Sequence, residues 1–314
     1  MEKQAMKGVI LAAGKGTRLY PVTKAIPKPI LPIANRPTLD YAFDQLKECG
    51  VSEVCVVVGE NEAVMREALG DRTANGLPLS FVRQVEPKGL AHAVGFAREF
   101  VDGEDFILYL GDAIYDRPLK PYVDQFRASG SANLNLVKPV EDPRRFGVAN
   151  VEEGRIVKLV EKPAEPESNL AMAGMYVFGP QIWDVLPDLQ PSGRGEYEIT
   201  DAIQMLIDRG HFVEAGIYDG EWFDTGTLES FLATSRFLTH SYPVVGEGAE
   251  VSCDVHGHVV VGDGAKVTAT EIVDSVILPG AVVNVSGAIR GSLLGGEVTS
   301  EADLVEAIKF GDLD

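Results

Sequence analysis

Apolar and polar positions follow two periods along most of this chain. Residues 8–13 and 54–58 are short unbroken apolar runs, each the length of a buried strand. Leu39, Ala42, Phe43 and Leu46 fall at helical spacing, and Gly50 follows as a stop. Asn61 is placed to cap a helix that Gly70 ends. A strand at 79–82, a helix over 90–100 and a strand Phe106–Leu110 running into Gly111-Asp112 come next. Helix and strand patterns recur through Leu136, with β-rich stretches at 147–160 and 173–178 and helices at 197–208 and 227–238. Such alternation predicts an α/β fold of βαβ units: a Rossmann-like, mostly parallel sheet with helices on both faces.

The pattern changes after His240. VGEGAEV (245–251), VGDGAKV (261–267) and ILPGAVV (277–283) recur at an offset of sixteen. Each carries an aliphatic residue, a glycine-containing turn and a second aliphatic residue six positions on. Short repeats of this kind predict the coils of a hexapeptide-repeat β-solenoid, the alternative being a plain β-meander. The expected division is therefore 1–240 and 241–314.

Composition narrows the function. The chain has 314 residues, 45% of them apolar, which is enough for a sizeable core. Cys49, Cys55 and Cys253 show no CxxC spacing, so they point to packing rather than to a disulfide framework or a thiolate metal site. There is no secretory signal pattern and no apolar run near the roughly 18 residues needed to span a bilayer. A soluble, cytoplasmic protein is expected. A net charge of −19 makes nucleic acid and anionic membranes poor partners.

Against that acidity, one segment stands out. Between Leu11 and Arg36 lie Lys15, Arg18, Lys24 and Lys28, closed by Arg36, with no Asp or Glu. Proline, glycine and apolar residues are interleaved, unlike a solvated basic loop, and the patch points to a small bound anion. Gly14-Lys15-Gly16-Thr17-Arg18 follows a strand directly, where glycines let backbone N–H groups approach phosphate. It lacks the third glycine of the dinucleotide fingerprint, and no Walker loop occurs. Ile26-Pro27-Lys28-Pro29 cannot continue as a regular helix, so Lys28 is expected on a stiff, extended segment.

Asp112 follows a strand and Asp224 precedes a helix. Two hard carboxylates from different parts of the chain could hold one Mg²⁺, the alternatives being a turn aspartate and a helix N-cap. Asp224-Thr225-Gly226 matches the aspartic-protease triplet, but that chemistry needs a second copy and none occurs. Glu161-Lys162-Pro163 and Gly193-Arg194-Gly195-Glu196 are, taken alone, ordinary loops. His256 and His258 read as residues of a tail strand.

LAAGKGTRL, the ten-residue step from Arg18 to Lys28, QVEPKGLAHA, LGDAIYD, RFGVA, VEKP, GMY, GRGEYEITDAI and WFDTG occur in that order. Together they resemble the nucleoside-diphosphate-sugar pyrophosphorylases over roughly residues 7–240, and within them the glucose-1-phosphate thymidylyltransferases. The resemblance implies a nucleoside triphosphate and a sugar 1-phosphate bound side by side. The nucleotide would lie on Leu11, Ala12, Ala13, Gly14, Gly16 and Thr17, with Arg18 gripping the leaving pyrophosphate and Lys28 the triphosphate. Gln84 and Gly89 would read the base edge, with Pro87 nearby. Asp112 and Asp224 would hold the catalytic Mg²⁺. Gly147, Glu161 and Tyr176 would line the sugar pocket, Met172 would add a backbone contact, and Lys162 and Arg194 would hold the sugar phosphate. Arg18, Lys28, Asp112 and Lys162 would carry the catalysis.

The chain departs from that pattern in places. Its first loop reads AAGKG where many thymidylyltransferases have AGGSG, and His92 stands where they usually have Gln. TKAIPKP and GLAHAV also resemble bacterial UTP–glucose-1-phosphate uridylyltransferases, so UTP is the alternative nucleotide. Thymine and uracil differ by one methyl, worth only about 1 kcal/mol. A non-catalytic sugar-nucleotide sensor would be expected to lack Arg18, Lys28, Asp112 or Asp224, and all four are present. The few tail coils suit an oligomerising or regulatory cap, and a homo-oligomer is expected.

Overall fold

The apolar run near the start of the chain forms an interior strand of the main sheet in the computed structural model, which describes residues 6–313. Nine strands build that sheet: β1 Met6–Ala12, β2 Val51–Val58, β3 Leu79–Arg83, β4 Phe106–Leu110, β5 Asn133–Pro139, β6 Gly147–Glu152, β7 Arg155–Glu161, β8 Leu170–Phe178 and β9 Val213–Ile217. Their order is β3-β2-β1-β4-β8-β5-β9-β7-β6. Val9, Ile10 and all of Val54–Val58 are fully buried, which explains why these strands read as continuous rather than alternating apolar runs.

The sheet is mixed, which corrects the expectation of a mostly parallel one. Strands β3-β2-β1-β4 run parallel, as do β5 and β9. β8 enters antiparallel between β4 and β5, and β7 is antiparallel to both β9 and β6. The hairpin between β6 and β7 turns at Glu153-Gly154, both with positive φ (49° and 78°), so it joins neighbours without a crossover helix.

The parallel part positions the first loops. From β1 the chain winds outward through β2 and β3, then returns to place β4 on the other side of β1. At such a switch point the carboxyl ends of the strands open onto a crevice. The Gly111 N–H donates to the Leu11 carbonyl at 3.0 Å, so 12–14 and Asp112 leave the sheet from neighbouring strands.

By packing, the chain divides into two units. One comprises the segment ending at Gly14 together with Tyr41–Trp222, the other Lys15–Asp40 together with the segment from Phe223. This division differs from a cut at residue 240, because two earlier segments pack with the tail strands. The helix Leu228–Leu238 buries Phe231, Thr234 and Ser235, and Ser235 Oγ meets the buried His258 Nε2 at 3.0 Å. Asn35 Nδ2 donates to the Val261 carbonyl at 3.0 Å.

The C-terminal strands are parallel, led by Glu250–Val261, Lys266–Ile277, Val282–Val285 and Glu297–Ser300. The sixteen-residue offset is their register: Val251 pairs with Val267, and Val267 with Val283. Val267, Val283 and Val298 stack in the interior. Turn carboxylates close the corners, with Asp263 accepting from the Glu247 N–H at 2.9 Å and Asp303 from the Ala288 N–H at 2.8 Å.

Candidate active site

The expected nucleotide loop is divided between the two units. Leu11 and Ala12 end β1 as buried residues, followed by half-buried Ala13 and exposed Gly14. In the second unit, Gly16 (φ 62°) opens a single 3-10 turn, Thr17–Leu19, on which Thr17 and Arg18 are exposed. The Gly16 carbonyl accepts from Thr23 Oγ1 at 2.7 Å. A Cβ at Gly16 would touch the Lys28 Cβ at 3.2 Å, so this glycine packs directly on the stem of Lys28.

Lys28 is only 9% exposed. It opens the 3-10 turn Lys28–Ile30 rather than lying on an extended segment as expected. Pro27 is extended (φ −50°, ψ 133°), and Pro29, in the first turn, gives up an N–H that has no partner there anyway. Lys28 Nζ lies 3.9 Å from Asp224 Oδ1. A Cβ at Gly226 would stand 2.8 Å from both Arg18 Nη2 and Asp224 Oδ1, so the bare Gly226 admits both groups. Arg18, Lys28 and Asp224 thus converge. Asp224 is not the cap of the helix that follows: Thr227 caps it, in a capping box with Ser230.

In the first unit, Gln84 is buried at the end of β3 and its N–H donates to the Val58 carbonyl at 2.9 Å. Its Nε2 donates to the Gly89 carbonyl at 3.3 Å and lies 3.0 Å from His92 Nδ1. Gly89 has φ 106°, and a Cβ there would meet the Tyr197 carbonyl oxygen at 2.5 Å, so only glycine fits. Pro87 sits on the exposed turn beside it. Burial foremost, then the nearby Lys88 charge, lowers the His92 pKa from its ordinary value.

The expected sugar-phosphate residues cluster around Glu161. It ends β7 opposite Gly147 of β6. Its Oε1 accepts from Arg194 Nη1 at 3.3 Å and lies 3.3 Å from Lys162 Nζ, while Oε2 accepts from Thr200 Oγ1 at 3.2 Å. A Cβ at Gly147 would stand 2.5 Å from Thr200 Cγ2 and 3.1 Å from Met172 Cγ, which is why this position holds glycine. Tyr176 is buried, and burial, with the Glu161 charge behind it, raises its hydroxyl pKa. Lys162 has φ 44° although Pro163 follows, a strained conformation fixed by its N–H bonding to the Phe146 carbonyl at 3.0 Å.

Two residues here escaped the sequence reading. Thr200 holds Glu161, and Glu198, 4% exposed, faces Arg194 Nε at 3.7 Å while accepting from Ser192 Oγ at 2.9 Å. Burial raises the Glu198 pKa against the pull of that hydroxyl and of Arg194. Both lie in GRGEYEITDAI, where polar residues at the start of an apolar helix, Glu198 just before it and Thr200 in its first turn, were the available signal.

Asp112 follows β4 in the turn before the short strand Ala113–Tyr115 and is half-buried. Among the described residues no three His, Cys, Asp or Glu side chains converge as a self-sufficient metal cage. Asp112 and Asp224 offer hard oxygen donors of the kind Mg²⁺ takes one or two at a time, completing its shell with phosphate and water. Each carboxylate by itself is the kind of donor such an ion takes.

The chain thus carries a glycine-containing strand-turn, a buried lysine beside one carboxylate, and a half-buried carboxylate flanked by two exposed cations. The Nucleotidyl transferase family profile matches residues 7–241, and the chain belongs to that family. It is 41% identical over 74% of its length to the low-salt glycan biosynthesis nucleotidyltransferase Agl11 of Haloferax volcanii, spanning 66% of that protein. To the glucose-1-phosphate thymidylyltransferase of Streptomyces griseus it is 40% identical over 79% of its length and 68% of the relative's. The UTP–glucose-1-phosphate uridylyltransferase AglF of Haloferax volcanii is 40% identical over 71% of this chain and 93% of its own. A UDP-glucose pyrophosphorylase crystallised with UDP-glucose superposes with a TM-score of 0.70 at 29% identity, covering 76% of this chain and all (100%) of the other. No helix among the described residues is long and apolar enough to cross a membrane.

Proposed function

We propose that the protein joins a nucleoside triphosphate, dTTP foremost, to glucose 1-phosphate, giving the nucleoside diphosphate glucose and pyrophosphate. The observation that carries this is the Glu161 cluster, a carboxylate suited to sugar hydroxyls with Lys162 and Arg194 beside it for a phosphate. The nucleotide side is supported by Arg18 and Lys28 on the acid-free segment and by Gln84 with Gly89. UTP is the second reading, and the 40% identity to a uridylyltransferase supports it.

The sugar phosphate is already an anion at neutral pH, so no protein base is needed. One of its oxygens attacks the α-phosphorus, a new P–O bond forms, the bond to the β-phosphate bridging oxygen breaks, and pyrophosphate leaves with the electron pair. Lys162 and Arg194 exchange contacts with Glu161 for the incoming phosphate, Lys28 and Arg18 balance the charge on the triphosphate, and Glu161 accepts from sugar hydroxyls. The family's divalent metal is read as Mg²⁺, with Asp112 and Asp224 each supplying a carboxylate. When bound, it supplies charge neutralisation on the phosphate oxygens.

The assignment of 1–240 as catalytic segment and 241–314 as a short left-handed β-helix-like cap is kept on the same basis. So are helices on both faces of the main sheet, a homo-oligomer and a cytoplasmic location. The test is pyrophosphate release with glucose 1-phosphate, Mg²⁺ and each of dTTP, UTP, CTP, GTP and ATP in turn. Fastest turnover with dTTP is expected, and no release with any of them from folded protein overturns the function.

A further inference from the structure

Gln84 has an amide whose orientation is settled by its neighbours. The Gly89 carbonyl can only accept, so the Gln84 atom 3.3 Å from it is the NH₂ nitrogen. The same nitrogen lies 3.0 Å from His92 Nδ1, which must then accept and carry a lone pair. The imidazole is therefore neutral, with its proton on Nε2. Two acceptors use both amide hydrogens, leaving the carboxamide Oε1 as the group with which Gln84 meets any further partner.

The lock is held from several sides. The His92 ring stacks on Tyr197 (6.0 Å, 23°) and takes the edge of Phe96 at 5.1 Å. Gly89 is pinned by the Tyr197 backbone, whose N–H donates to the Lys88 carbonyl at 2.8 Å and whose carbonyl accepts from the Ala91 N–H at 3.0 Å. The charged groups that act on the ring are Lys88, which disfavours its protonation, and Glu86, which favours it more weakly. These two pair with each other at 2.5 Å, and the Tyr197 hydroxyl is the other titratable group facing this corner.

We infer that His92 is a positioning residue for nucleotide selection: it fixes the Gln84 carboxamide so that an accepting oxygen faces the base, selecting thymine or uracil over cytosine. This rests on the proposed function, in which Gln84 reads the base edge. Thymine and uracil carry a donating N3–H, whereas cytosine has a lone pair at N3, so an Oε1 held in place would meet it acceptor against acceptor. Without His92, Gln84 keeps only the longer bond to Gly89, and its amide can turn to offer NH₂ to cytosine. Gln at this position, the residue usual in the thymidylyltransferases the sequence resembles, also carries an accepting oxygen and should do the same work.

The experiment compares kcat/KM for dTTP, UTP and CTP, with glucose 1-phosphate, in the wild type, His92→Leu and His92→Gln. The wild type and His92→Gln are expected to prefer dTTP and UTP to CTP. His92→Leu should narrow that ratio roughly tenfold, the effect of one lost hydrogen bond. The ratio compares nucleotides on one variant, so a loss of folded protein does not move it. In acid the wild-type ratio should fall as His92 protonates and Nδ1 becomes a donor, while that of His92→Gln stays level. In ¹⁵N spectra of the free enzyme the His92 Nδ1 should be the unprotonated nitrogen. A wild-type ratio in His92→Leu, or a protonated Nδ1 at neutral pH, overturns the role of His92 and leaves the function standing. A wild type that turns over none of the three overturns the function and this inference together.

Discussion

The molecule holds cations against carboxylates in two regions, and it does so in opposite ways. Around Asp224 the cation is buried: the Lys28 side chain is 10% exposed and its partner 34%. Around Glu161 the carboxylate is the more covered partner, half-buried at 18%, while Lys162 and Arg194 are 42% and 41% exposed. Lys28 is fixed by Gly16 packing on its stem and by prolines on either side, so its charge stands ready before any ligand arrives. Arg194 is instead shared among Glu161, Glu196 and Glu198, and under the proposed function an incoming phosphate would compete for it. A group needed for a developing charge gains from being fixed in advance, whereas one that must receive and release a substrate gains from exchangeable partners.

Substitutions can break this contrast, in descending order of effect. Asp112→Ala should abolish measurable pyrophosphate release while circular dichroism and thermal unfolding stay those of the folded protein. Retained turnover would remove the metal assignment. Lys28→Met should lower kcat about a hundred- to a thousandfold. Its stability should change by no more than about 1 kcal/mol, because half-exposed Asp224 can turn to water. Arg194→Met should act mainly on KM for glucose 1-phosphate, raising it about ten- to a hundredfold with kcat less affected. A kcat loss as large as that of Lys28→Met would mean the two regions do not differ as described.

The smallest effect concerns the tail. Burial first, then Arg236, lowers the His258 pKa against the opposing charge of Asp274. The folded state therefore binds its proton less readily than the unfolded chain. Stability should be full above about pH 6.5 and fall as pH drops below it toward the lowered folded value. His258→Gln should flatten that slope in thermal unfolding measured between pH 5 and 7.5.

What was legible in the sequence was mostly local. The strand-turn with Gly14 and Gly16, the acid-free segment carrying Lys28 and the sixteen-residue register of the tail each lie within one stretch of chain. The direction of β8 was not legible, because it depends on pairing with β4 and β5 more than thirty residues away. The 3-10 turn at Lys28 was hidden because Pro29 fits a first turn as well as an extended strand. Glu198 was missed because its significance comes from burial against Arg194 and Ser192, which spacing alone does not encode. His92 was visible as a departure from the resembling pattern, but its work depends on a neighbour, Gln84, that only the fold brings to it.

The most direct measurement is ³¹P NMR of the protein mixed with dTTP, glucose 1-phosphate and Mg²⁺. Coupled diphosphate resonances of a nucleoside diphosphate sugar, growing in step with free pyrophosphate and absent from the Asp112→Ala protein, are the predicted result. Inorganic phosphate alone, or an unchanged spectrum with dTTP and with UTP, would contradict nucleotidyl transfer to this sugar phosphate.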